Sequence, residues 1–370
     1  MADMNVTAAR PGLTPIQWSS DFWVEYLREN QFSPYFGTSM DAMIQLQTDL
    51  TRKPGDSVVF PTVRNLVGAG VTGNTVLEGN EEILNARSLK VAVSVIRHAV
   101  AVSQWDEQKS VIDLLQAGRQ VLKNWAANKL RADIITSLGA ITADGDVQLT
   151  YAAASAAQRN TWLTNNADRV LFGNSKVNAV SNVYATALTT IDNTADKLTA
   201  AQLTLAKRLA RTANPKIRPI RVSGDEEWYV VFVPSLPFRD LMQDPTIINA
   251  LQYAWDRGRD NPLFTAGDIL WNGMIIREIP ELPVVPDVGA GATVDAAASY
   301  LCGAQALGIA WAQRTKAITN ERDYGYFSGV GVMEIRGVAK LRFGTDPTVD
   351  QTKPVDNGVF TIWSASEPDA

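Results

Sequence analysis

The spacing of apolar residues along this chain changes period several times, and each change predicts an element. Ser57-Val58-Val59-Phe60 is a short apolar run that follows the turn signal Arg52-Lys53-Pro54-Gly55-Asp56, and it predicts a strand. A polar excursion comes next, with four glycines from Gly68 to Gly79 and few large apolar side chains. Period two then returns over Leu89–Ser103, where Val91, Val93 and Val95 alternate with Ala92, Ser94 and Ile96. Both faces of the far end of this run are mostly apolar, which predicts burial in a sheet. The two strands therefore frame a long extended arm with no core of its own. Such an arm finds its burial against another molecule, which points to assembly rather than catalysis.

The period lengthens over Glu107–Leu138. Apolar residues recur at Val111, Leu114 or Leu115, Leu122, Trp125, Leu130, Ile134 and Leu138, the stripe of one amphipathic helix. Ser103 or Asp106 supplies a cap and Gly139 a stop, and the helix would be about 45–50 Å long, a strut. Upstream, residues 1–20 read as an extended arm with Pro11 and Pro15. Ser20 caps a helix over Asp21–Asn30, and Met40–Leu50 reads as a strand or a short helix. Downstream, 141–175 reads as a hairpin plus a helix, and Val177–Asp192 and Thr199–Thr212 as helices. Trp228–Val233 (WYVVFV) is a buried strand, followed by a loop punctuated by Pro234, Pro237 and Asp240. A helix opens at Asp244-Pro245. Ile269–Ile279 forms a strand pair around Asn272-Gly273, and 281–298 forms a loop. Leu301–Arg314, Gly329–Phe343 and Val359–Trp363 are strands. Helices and strands fall in separate blocks, which predicts an α+β fold.

Composition narrows the function. The 370 residues are 46% hydrophobic, enough for a large core, and carry a net charge of −5, unlike a protein that coats nucleic acid. No apolar run of about 18 residues predicts a membrane helix, and the N-terminus lacks the basic and apolar regions of a secretory signal. A single cysteine, Cys302, leaves no partner for an intrachain disulfide and reads as a buried core residue. The single histidine, His98, lies in the returning strand and reads as structural. Ten tryptophans suit packing and interfaces.

Catalytic and cofactor patterns fail one by one. Gly68-Ala69-Gly70-Val71-Thr72-Gly73 matches GxGxxG, but no helix is predicted after it and no acid lies between Glu82 and Asp106, so it reads as a loop. No GxxxxGK[ST] or GxSxG occurs, and one histidine with one cysteine makes no zinc site. Asp192–Asp196 lacks the glycine and glutamate of a calcium loop and reads as a polar turn. Glu81/Glu82 and Glu226/Glu227 are sequence neighbours, which point to opposite faces of a strand and do not oppose each other as acid and base. No cofactor and no metal is expected.

The order of elements, a free arm, a long β-loop, a strut helix, a mixed body and a closing strand, resembles the Hong Kong 97-type fold of tailed-phage major capsid proteins. Gly55-Asp56-Ser57-Val58-Val59-Phe60 and Leu77-Glu78-Gly79-Asn80-Glu81-Glu82 are similar to segments of the coat proteins related to that of phage N-four. So are Trp228-Tyr229-Val230-Val231, Arg239-Asp240-Leu241 and Asn261-Pro262-Leu263-Phe264 ahead of Gly267 and Asn272-Gly273. The resemblance implies an N-arm at 1–40, an E-loop at 57–95 and a peripheral domain at 41–56 and 96–144 with a spine helix at 107–138. It also implies an axial domain at 145–325 and peripheral return strands at 326–370. It implies hexamers and pentamers in an icosahedral shell around double-stranded DNA, held without sequence-specific binding. Any scaffold would be a separate protein, with portal and decoration proteins as further partners and the host cytoplasm as the place of assembly. The inter-subunit contacts it implies are Val71, Asn74, Val76, Leu77, Glu78, Glu81 and Glu82 on the E-loop, and Trp18, Phe22 and Trp23 on the N-arm. Lys90 is the nearest lysine to the loop acids, so ordinary polar contacts are expected in place of a covalent cross-link. The competing readings are a nanocompartment shell, a carboxylate-dependent hydrolase and a tail component.

Overall fold

The computed structural model describes residues 31–48, 55–63, 70–74, 76–81, 86–142, 147–222, 226–255, 269–344 and 354–369. The helix expected at Asp21–Asn30 lies outside them. β1 (Phe36–Gly37) is followed by β2 (Ile44–Gln47), so the ambiguous stretch Met40–Leu50 holds a strand. β3 (Ser57–Val63) leaves as expected, but the return is split into β4 (Ala86–Ala92) and β5 (Ser94–Ser103). The cause is a change of partner at Val93. β4 pairs antiparallel with β3, from Ser57↔Ala92 to Val63↔Ala86, whereas β5 enters another sheet. The Val93 N–H donates to the Asp56 carbonyl at 3.0 Å and closes the base of the β3–β4 hairpin.

The expected strut is also divided. α1 (Gln104–Lys109) is capped by the Ser103 hydroxyl, which accepts from the Asp106 N–H. α2 (Leu114–Leu138) starts afresh at Asp113, whose carboxylate accepts from the Gln116 N–H. Its 25 residues span about 37 Å, shorter than the sequence suggested. Val111 therefore leaves the stripe and lies fully exposed between the helices. Leu122, Leu130, Ile134 and Leu138 are buried, and Leu115 and Trp125 partly so.

The body follows the expected order with five corrections. β6 (Ile141–Thr142) pairs with β7 (Gln148–Leu149), and α3 (Ala156–Asn165) follows a Ser155 capping box. After β8 (Val170–Phe172), the helix expected over Val177–Asp192 shrinks to two 3-10 turns and α4 (Tyr184–Leu188), because Ser181 and Asn182 take positive φ. α5 (Ala200–Thr212) is capped by Thr199, and β9 (Ile220–Val222) and β10 (Glu226–Val233) follow. The loop expected around Pro237 is a helix, α6 (Ser235–Met242). Pro237 falls in its first turn, where a missing N–H breaks no intrahelical bond. α7 (Pro245–Trp255) comes next, and β11 (Ile269–Trp271) and β12 (Met274–Glu278) flank a turn whose Asn272 and Gly273 both have positive φ. The loop at 281–298 contains β13 (Val284–Val285). The single strand expected over Leu301–Arg314 is two, β14 (Ala296–Cys302) and β15 (Leu307–Arg322), which belong to different sheets. The strand expected over Gly329–Phe343 is β16 (Phe327–Lys340), which yields to β17 (Arg342–Gly344). β18 (Pro354–Asp356) pairs with β17, and β19 (Val359–Ala365) ends the described chain.

Two large sheets organise these elements. The first has the order β1-β2-β15-β16-β5, with β2 parallel to β15 and both β15–β16 and β16–β5 antiparallel. The second runs β11-β12-β10-β14-β19-β8, with β13 beside β14 and β9 beside β10. Sequence blocks and sheets do not coincide. β15 lies inside the stretch 145–325 yet belongs to the first sheet, and β19 follows residue 326 yet belongs to the second.

α2 packs on one face of the first sheet through the buried Val330 and Val332, and this core continues to Val230, Phe232, Tyr300, Cys302 and Trp363 of the second. The other face of the second sheet buries Tyr229, Val231, Val233, Phe360 and Ile362 against Leu203, Ala206 and Leu209 of α5. Both faces are covered, which is why WYVVFV is apolar throughout and the run Val359–Trp363 is apolar at every position but Thr361. His98 rests on the Trp125 ring, centroids 4.7 Å apart.

Two buried cations tie helix and sheets together. Arg336 donates through Nε to Glu334 at 2.7 Å and reaches Asp133 of α2 at 2.7 Å, and the Thr315 hydroxyl donates to Glu334 at 2.9 Å. Lys340 Nζ donates to the Ala140 carbonyl at 2.8 Å and to Asp356 at 3.0 Å. Gln148 clamps the Lys340 backbone from both sides, at 2.8 and 2.9 Å.

Arg336→Met leaves the Glu334 carboxylate buried without its counterion, and chemical denaturation should read a loss on the order of 3–5 kcal/mol. Cys302 is fully buried, and burial pushes its thiol up to about 12. Thiolate is the reactive form, so native protein should resist a thiol reagent at pH 8 and react fully once unfolded.

Candidate assembly surfaces

The β3–β4 hairpin is a projection with a seated base. Val58, Phe60, Leu89 and Val91 point to one side and are buried against Ala310 and Leu341, while Val59 on the opposite side is 51% exposed. The seat depends on two glycines. A Cβ on Gly308 would lie 3.1 Å from the Phe60 ring, and a Cβ on Gly337 would lie 2.1 Å from the Ala92 carbonyl oxygen. The β4 backbone thus crosses β16 too closely for any side chain.

Further along, the hairpin reaches a tip described at 70–74 and 76–81. Gly70, Gly73 and Gly79 have positive φ, and a Cβ there would meet nothing within 4 Å. The last turn satisfies its own polar groups. Asn80 donates from its N–H to the Leu77 carbonyl and from its side chain to the Val76 carbonyl, both at 2.9 Å, and the Gly79 N–H donates to the Glu81 carboxylate at 2.7 Å. With the backbone paired, the side chains point outward: Val76 is 66% and Leu77 61% exposed, and Asn74, Glu78 and Glu81 are exposed as well. Val71 is half-buried. Six of the seven expected loop residues are therefore gathered at this tip. Glu82, Trp18, Phe22 and Trp23 lie outside the described residues.

A second projection escaped the sequence reading. β15 and β16 run on to a turn at Asp323–Tyr326, in which Asp323, Tyr324 and Gly325 have positive φ. Tyr324 is fully exposed and Tyr326 stands edge-on to Phe327 at 4.9 Å. Trp105 of α1 is half-exposed beneath the Lys109 ammonium, 4.5 Å from its ring. The Tyr326 carbonyl accepts from the Gln104 N–H at 2.9 Å, which fixes α1 to this turn. The sequence offers only the turn motif Asp323-Tyr324-Gly325-Tyr326 here, because the polar run Thr315–Arg322 before it shows no apolar alternation.

Among the described residues no arrangement for catalysis appears. Among the described residues no group of histidine, cysteine and acids could hold a metal ion. Asp192 accepts from the Thr194 and Ala195 N–H groups, which holds its carboxyl below the usual range, and Asp196 accepts from the Asn174 N–H at 2.7 Å. These carboxylates hold a turn. Glu226 and Glu227 part as expected, toward the Trp228 indole at 3.0 Å and Arg211 at 2.7 Å. A cavity of about 580 Å³ beside the end of α2 is walled by Tyr151, Trp162, Tyr184, Tyr300 and Trp363. Its one acid, Glu281, pairs with Arg131. Two opposed carboxylates, which a glycan hydrolase needs, are missing there.

These surfaces are exposed, and comparison with known proteins identifies the class of molecule that carries them. The model of the phage capsid protein family matches residues 7–367. The major capsid protein of Pseudomonas phage KPP25 is 30% identical over 373 residues, covering 94% of each chain. The capsid of cyanophage Pam1 superposes over the whole of both chains with a TM-score of 0.81 and 34% identity. That of Ralstonia phage GP4 also matches over the whole of both chains, at 0.74 and 23%. The chain belongs to the phage capsid protein family and has the Hong Kong 97-type fold. It is a phage major capsid protein, a component of the virion and not an enzyme, and the nanocompartment, hydrolase and tail readings fall away.

Gly337→Ala should lift the hairpin base from its seat and destabilise the subunit by about 1–3 kcal/mol, read as a lower thermal midpoint. Gly79→Ala at the open tip meets no neighbour, so its cost should be limited to the positive φ, about 1 kcal/mol.

Proposed function

We propose that this protein builds an icosahedral shell of hexamers and pentamers around double-stranded DNA, with the β3–β4 hairpin lapping a neighbouring copy as the E-loop. The observation that carries this reading is the asymmetry of the hairpin. Its base is locked to the body by Phe60, Gly308 and Gly337, while its tip is self-bonded in the backbone and presents Val76, Leu77, Glu78 and Glu81. A seated base and an outward tip suit a joining arm. Each joint is modest, but one subunit makes several, and the shell gains by multivalency.

In this reading residues 1–40 are the N-arm, with Trp18, Phe22 and Trp23 as its contacts, and 57–95 are the E-loop. α2 is the spine of a peripheral domain built on the first sheet, including β15. The axial domain is built on the second sheet and meets its copies around the symmetry axes. A net charge of −5 suits a container that must release its DNA, since a lining that neutralised many phosphates would hold it. Scaffold, portal and decoration proteins act as separate partners, and assembly takes place in the host cytoplasm. Among the described residues no helix is long and apolar enough to cross a membrane.

Deleting residues 68–79 should leave a folded, soluble subunit that closes no shells, as seen by circular dichroism and electron microscopy. Normal particles from the deletion would refute the role given to the hairpin. Purified wild-type particles should show the absorbance ratio of packaged DNA.

A further inference from the structure

The cavity beside the end of α2 has no part in the joining role of the hairpin. At about 580 Å³ it lies within the range of small-molecule pockets, roughly 300–1,000 Å³. Three parts of the fold meet around it: the last turns of α2, the strands β14 and β19, and a strap at 281–286. Small residues leave the space. Ala132 of α2, Ala152 and Ala298 of β14 line it where larger side chains would fill it. The strap is fastened on two sides. Its β13 pairs with β14 through Val284↔Ala297 and Val285↔Ala296, and Glu281 pairs with Arg131 of α2. A protein segment would have to displace this strap to fill the cavity, whereas a small molecule would not.

Three properties of the lining define what fits. The first is its aromatic wall. Tyr184 stands edge-on to Trp363 at 6.1 Å, and Tyr151 tilts against the same indole at 6.0 Å. Such a wall accepts a flat ring by face or by edge. The second is electrical neutrality. Lys340 lines the cavity, but its ammonium is spent on the Ala140 carbonyl and Asp356, and Glu281 is spent on Arg131. A charged guest would find no counterion and would lose its water, which is costly. The third is one unused donor. Tyr300 is 4% exposed, and its hydroxyl makes no hydrogen bond to any described residue. A Cβ on Gly139 would lie 2.8 Å from that hydroxyl, so the phenol reaches the end of α2 through a gap that glycine leaves. Burial raises its pKa, and it remains a protonated donor.

We propose that this cavity binds an uncharged, flat aromatic molecule bearing one hydrogen-bond acceptor, with its rings against Tyr151, Tyr184 and Trp363 and its acceptor on the Tyr300 hydroxyl. The aromatic wall selects the rings, the spent charges select neutrality, and the phenol selects the acceptor. A guest in this position touches α2, the strap and the second sheet at once. Because it binds the folded subunit and has no site on the unfolded chain, it stabilises the fold by mass action. The proposal is independent of the part the hairpin plays in assembly.

The probe is prodan, an uncharged naphthalene ketone whose emission moves to the blue in apolar surroundings. Titrated into the full-length subunit and into assembled particles, it should give a saturable blue-shifted signal, one site per subunit, and a higher thermal midpoint. Ala132 lines the cavity from an exposed position on α2, so Ala132→Trp should occupy the space without disturbing the fold. Circular dichroism should show that variant folded and the titration should show it silent. Tyr300→Phe keeps the ring and removes the donor, and should weaken prodan by about fivefold. Naphthalene sulfonate, flat but anionic, should bind at least about tenfold more weakly than prodan. Undiminished binding to folded Ala132→Trp would overturn the proposal, because the probe would then sit elsewhere. Equal binding by Tyr300→Phe, or by the sulfonate, would overturn the chemistry assigned to the guest. Binding to the subunit but not to particles would overturn it too, since a neighbouring copy would then cover the cavity.

Discussion

One strand, β16, has to satisfy every neighbour that matters in this subunit. Both of its edges are paired, to β15 and to β5. One face lies under α2, where Val330 and Val332 pack and Arg336 reaches Asp133. The other face comes so near the β4 backbone that only glycine fits at 337. Its end carries Lys340, held by Ala140 and Asp356. Small, apolar and charged residues therefore follow one another along 14 positions in an order that no simple alternation would produce. Each residue type answers a different contact.

The buried ions follow from this crowding. Arg336 and Lys340 are each 1% exposed, and each is matched by an acid and by a further oxygen or aromatic ring. Removing two charges from water is costly, and their pairing offsets that cost without a large surplus. Their contribution is directional. An apolar contact would let α2 slide on the sheet, whereas the Arg336–Asp133 pair holds one residue of the helix to one residue of the strand. A shell protein needs that definition, because an error in the angle between spine and sheet is copied into every subunit.

Much of this was legible in the sequence where periodicity is strong. The stripe Leu122, Leu130, Ile134 and Leu138 gave the helix, WYVVFV gave a strand covered on both faces, and Thr199 gave the start of α5. What was lost lay at breaks set by partners rather than by residues. Val93 does not look like the end of a strand. It becomes one because Ala92 pairs with Ser57 while Ser94 pairs with Arg336. The run from Leu301 to Arg314 divides for a similar reason, as the chain passes from one sheet to the other through Gly303. Asp113 could have been read as a second cap, but the apolar residues on either side of it masked the break. The hairpin tip was legible from its glycines and acids. The ribbon tip was not, because the polar residues of Thr315–Arg322 carry little apolar signal even though they pair along their whole length.

The hairpin seat has a consequence in time. Ala92 and Gly337 are 245 residues apart in the chain. At synthesis rates of about 5–20 residues per second, the strand that receives the hairpin emerges roughly 12–50 s after the hairpin itself. The same delay applies to β2, whose partner begins at Leu307. Until then the arm has no base to swing from, and a chain that stops early never acquires one. With the joining role proposed for the hairpin, a chain acquires a seated arm only once Gly337 and Leu341 have been made, and a chain that stops before them lacks it.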